Sequence, residues 1–185
     1  MLSNLISSFI YLPFSSFVVA SIALSSIIPS ILERSGIEKL RFAIFVEISN
    51  SNFISFSIAV KYFDNNQTKS FSIQTEAELK KVNYDSFEDK YEELEKKMLD
   101  NFFKFVNDHK SFNWVHWNMR NLNFGFEALE NRYKILGGKI SFSIPDSNKY
   151  DLSKILIERY GEKYINHRRF YELYKLNNIT DKHLL

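Results

Sequence analysis

The side chains that could do chemistry fall in a few places. Glu47 comes at the end of the apolar run Leu-Arg-Phe-Ala-Ile-Phe-Val-Glu-Ile, where a strand would stop. A carboxylate there can hold a divalent cation, as a catalytic ligand, or turn to solvent and pair with a lysine. His116 lies between Val115 and Trp117 in a short aromatic and β-branched run. An imidazole in that setting is either a hydrogen-bonded core histidine or a carrier of protons. Asn118, Arg120, Asn121 and Asn123 follow at once. They form a polar crevice directly after an apolar strand, where α/β folds place their binding groups. Asparagines also tolerate turn geometry and cap helices, so the same cluster has a structural reading. Arg132 stands on the helix beyond. Lys163, His167, Arg168 and Arg169 could meet phosphate, whose contacts are mostly with Arg and Lys, or form a solvated helix face. Trp114 and Trp117 are three apart in a strand and point to opposite faces, which argues against a joint base-stacking platform.

Residues 85–138 must position most of these groups. Phe87, Tyr91, Leu94, Met98, Phe102 and Phe105 recur in steps of three and four, which predicts one apolar face of a long helix. Asp85 followed by Glu88 predicts a capping box at its start. Residues 112–117 predict a buried strand, which the preceding helix, as a crossover, lets return parallel to the strand at 40–48. The next helix stops at Gly137-Gly138, where positive φ can close the last turn. Earlier in the chain, the nearly continuous apolar run 40–48 predicts a strand covered on both faces. Residues 52–63 alternate strictly, and 69–75 alternate again after the turn Asp64-Asn65-Asn66. These three segments predict an antiparallel meander. Residues 75–84 read as a connecting loop and 139–144 as a fourth or edge strand. Tyr150-Asp151 opens a helix ended at Gly161, and a last helix is expected over 166–176. Phe42, Ile44, Val46, Ile58, Phe102, Val115 and Leu129 are expected to share one core.

With 185 residues the chain has room for one domain and an appendage. A formal charge of +2 with interspersed signs gives no strong pull toward nucleic acid or anionic lipid. The absence of cysteine excludes disulfides, thiolate catalysis and cysteine-built zinc sites. No phosphate-cradling glycine loop or nucleophile elbow is present. Residues 2–32 carry no charge, and within them 10–28 is long enough to cross a bilayer, for which about 20 apolar residues are needed. Recurrent serines, Pro13 and Pro29, and the lack of a basic start leave a helix or hairpin packed on the domain open as well. Residues 1–36 are therefore set apart as a hydrophobic N-terminal segment, a membrane anchor in one reading. Basic residues after it place the body, 37–185, on the cytoplasmic side.

The order of elements and the residues at their corners resemble the ribonuclease-H-like fold, an α/β fold with a mixed sheet. Within it they resemble the 3′–5′ exonucleases of the DEDD group, from about residue 40 to the C-terminus. Glu47-Ile48-Ser49 stands where the family has Asp-x-Glu. Trp117-Asn118, Phe124-Gly125, Leu129 and Arg132 follow the outline of its second motif, three residues longer than usual. Tyr150-Asp151-Leu152-Ser153 resembles the aspartate that opens a later helix. The family's last acid would be expected just past Leu185, so the domain reads as C-terminally incomplete.

That resemblance implies two magnesium or manganese ions held about 4 Å apart by carboxylates. This chain departs from the pattern: Ser49 and Gly125 replace acids, and Glu47 alone remains of the metal-binding set. Weak binding of a single ion at Glu47, assisted by Asn121 or Asn123, is the residue of that site. Magnesium or manganese would be a cofactor only if the site is completed elsewhere. The expectation is a degenerate exonuclease-like domain, related to single-stranded nucleic acid and catalytically inactive. The alternative is a non-catalytic protein-interaction module tethered to membrane through residues 2–32.

Overall fold

The computed structural model describes residues 40–48, 56–62, 65, 67–83, 86–116, 125–166, 172 and 176; of 40–48 and Phe56 it describes the backbone. The N-terminal segment and its expected membrane contact lie outside these residues, as does most of the expected last helix. Among the described residues no helix is long and apolar enough to cross a membrane.

The fold is mixed α/β, with a five-stranded sheet in the order β3-β2-β1-β4-β5. β1 (Leu40–Ile48) is the central strand, as its nearly continuous apolar run predicts. It pairs antiparallel with β2 (Phe56–Tyr62), in a register that sets Ile44 against Val60 and Glu47 against Ser57. β2 pairs antiparallel with β3 (Thr68–Ser72), which completes the meander. The Tyr62 N–H donates to the Gln67 carbonyl at 2.8 Å, and the Asn65 side chain accepts from the Gln67 N–H at 3.0 Å, so the turn between them is held by its own polar groups.

β3 ends sooner than its alternation suggests because Ser72 starts a helix. Its Oγ accepts the Thr75 N–H at 3.1 Å, and α1 (Ile73–Leu79) follows. The loop expected over 75–84 is therefore in good part helical. Ile73, Glu76 and Ala77 lie at the i, i+3, i+4 spacing that buries one face.

α2 (Tyr91–Asp108) is the long helix expected from the apolar spacing. It begins at Tyr91, with Lys90 at the cap position and no side-chain cap bond, so it does not start from the capping box expected at Asp85, a residue outside those described. Glu92 and Glu93 instead oppose the open amides of the first turn with negative charge. Leu94, Met98 and Phe102 are fully buried, and Leu99, Phe103 and Val106 widen the buried stripe. Crossing over through this helix, β4 (Asn113–His116) returns parallel to β1, with Ile44 against His116.

α3 (Phe126–Ile135) ends in a Schellman arrangement. Gly137 has φ +79°, its N–H donates to the Lys134 carbonyl, and the Gly138 N–H reaches the Tyr133 carbonyl at 2.8 Å. The positive φ falls at Gly137, whereas at Gly138 glycine is favoured by contact, since a Cβ there would overlap the Tyr133 ring.

Residues 139–144, expected as a strand, join no ladder. Their alternation is real: Ile144 is buried, and Ile140 and Phe142 pack on the core. The segment packs its apolar side without pairing. The fifth strand is β5 (Lys149–Asp151), parallel to β4, and α4 (Leu152–Tyr160) starts directly from it.

One core lies between the sheet and α1, α2 and α3. Phe102 is at its centre, with ring centroids 5.5 Å from Phe71, 5.2 Å from Phe103 and 6.1 Å from Phe126. Trp114 is fully buried in the same cluster, and its Nε1–H donates to the His109 carbonyl at 3.3 Å. Of the expected core, Ile58, Phe102 and Leu129 belong to this cluster. Val115 is buried too, but it alternates with Trp114 and so lies on the other face of the sheet. That face is also closed along β2, where Ser57, Ala59 and Lys61 are buried. Phe42, Ile44 and Val46 fall where side chains are not described.

Candidate functional site

Because β1, β4 and β5 are parallel, their carboxyl ends lie at one edge of the sheet. His116 is the last residue of β4 and Asp151 the last of β5, and the two are register partners. Ile44 of β1 completes this row. Glu47 lies three positions farther along β1, about 10 Å at the rise of an extended strand. The edge thus collects the backbone positions of an imidazole and two carboxylate residues, the composition of a site that could move protons or hold a cation.

The described side chains narrow that possibility. His116 is 6% exposed and Asp151 9%. The Asp151 Oδ1 accepts from the Ser153 N–H at 3.1 Å and the Lys154 N–H at 3.4 Å, capping α4. Its charge is spent on open helix amides. Gly125, at the corresponding corner before α3, caps that helix without any side chain. Among the described residues no three His, Asp or Glu groups are placed to share a metal ion. The polar cluster Asn118, Arg120, Asn121 and Asn123 lies outside the described residues, as do Trp117 and His167 to Arg169.

Arg132 has a different setting from a crevice at the strand ends. It lies in the last turns of α3 and reaches α2, where its Nε donates to Glu95 Oε1 at 2.9 Å and a terminal nitrogen to Oε2 at 2.5 Å. Glu95 is buried, and its hydrogen bonds hold the Arg132 guanidinium above its ordinary pKa although burial opposes this. Tyr91 lies beside the pair. Burial and the Glu95 charge push its hydroxyl up to about 12, with Arg132 acting in the opposite sense.

Polar links of the same kind recur along α2. Tyr133 donates to Asp100 Oδ1 at 2.5 Å, and Lys96 donates to both Asp100 oxygens. Burial and this bond push the Tyr133 hydroxyl up to about 12. On the other flank Asn101 donates to Glu76 of α1 at 2.7 Å, and Lys80 pairs with Glu93. These groups tie helices together, and nothing in their single-residue context distinguishes them from site residues. The His116–Asp151 neighbourhood was missed because it depends on β5, which a three-residue strand hardly announces in sequence. A further buried cation, Lys61 of β2, is held below the usual lysine pKa by burial.

Neither the scan against protein-family models nor the searches of curated proteins and of solved structures match this chain.

Proposed function

We propose that the chain is a ribonuclease-H-like domain that binds single-stranded nucleic acid without cleaving it. The observation that carries this reading is the strand order β3-β2-β1-β4-β5, with β2 antiparallel to both its neighbours and β4 and β5 parallel to β1. That is the connectivity the resemblance implies: a meander, then helix, parallel strand and helix.

The non-catalytic half of the reading is an argument from charge. Two divalent ions close together repel unless several carboxylates compensate them, and magnesium demands hard oxygen ligands in good geometry. Glu47 is the one acid at a family metal position, Ser49 and Gly125 bring none, and Asp151 is engaged by two amides. Neutral amides such as Asn121 and Asn123 can orient water but cannot offset four positive charges.

Purified protein incubated with end-labelled single-stranded DNA and RNA in manganese tests this directly. The expected outcome is retention of the label in a complex with no shortening, and the same behaviour for Glu47→Gln. Trimming from the 3′ end that disappears in Glu47→Gln would overturn the non-catalytic reading. Failure to retain either strand would overturn the nucleic-acid reading.

A further inference from the structure

We draw no further inference here: the strongest candidate, the face of the sheet opposite the aromatic core, where Ser57, Ala59 and Lys61 of β2 are buried, carries no proposal because nothing among the described residues shows what covers them.

Discussion

Replacing Arg132 with methionine should destabilise the protein by about 2–3 kcal/mol, and adding Glu95→Met should restore most of that loss. The Glu95 side chain is 5% exposed and receives two charge-assisted bonds from one guanidinium. Removing one partner of a fully buried ion pair costs about 3–5 kcal/mol, because the other charge is left without compensation. Arg132 is 35% exposed, and Glu92 approaches it at 3.9 Å, so part of its field is already screened by water and shared. That lowers the expectation to the stated range. With methionine at 95 as well the stranded charge disappears, and two thioethers are the kind of apolar replacement that buried pairs tolerate. Urea unfolding of the four proteins in the double-mutant cycle measures the coupling, read from midpoints at constant slope. A cost below about 1 kcal/mol for Arg132→Met, or strict additivity of the two changes, would show a solvent-screened surface pair. Lost oligonucleotide binding at unchanged stability would return Arg132 to a binding role and refute the reasoning outright.

Two further outcomes follow from the same helix. Phe102→Ala should cost about 3–5 kcal/mol, the range for a buried aromatic, since Phe102 is fully buried among Phe71, Phe103 and Phe126; a cost below about 1 kcal/mol in urea unfolding would mean that the buried face of α2 is misassigned. Asp100 tests the electrostatics: burial disfavours its charge, but the Tyr133 hydroxyl and the Lys96 ammonium outweigh that and hold its carboxyl below the usual value. A depressed folded pKa gives stability that is present above the unfolded value of about 3.9 and is lost as pH falls through the folded one. Asp100→Asn should therefore lose up to about 1 kcal/mol near neutrality, the scale of a partly exposed pair, and should show a flatter acid limb in midpoint against pH. Parallel acid limbs for the two proteins would contradict the assignment.

The part of the fold legible in the sequence is the part governed by periodicity. The apolar run of β1, the alternation of β2 and the three-and-four spacing of α2 each record burial, and burial sets those elements. The parallel return of β4 followed from the length of the crossover. Local polar chemistry was harder. Ser72 caps α1 inside the run 69–75 that alternates as a strand does, because a cap is one hydroxyl and one amide, with no period to repeat. Residues 139–144 alternate as a strand does yet pair with nothing, because alternation reports which side is buried and is silent on where the amides go. Arg132 and Glu95 are 37 positions apart, and no spacing rule joins residues on two helices whose packing is not yet known.

The polar groups of this protein also bear on how it acts. α2 is fastened on one flank to α3 through Glu95, Asp100 and Lys96, and on the other to α1 through Asn101 and Glu93. Glu93, Glu95, Lys96 and Asp100 are thereby engaged in holding the helices together. At the sheet's carboxyl edge Asp151 is likewise engaged by helix amides. A cation bound at the strand edge would therefore have to be held mainly by Glu47.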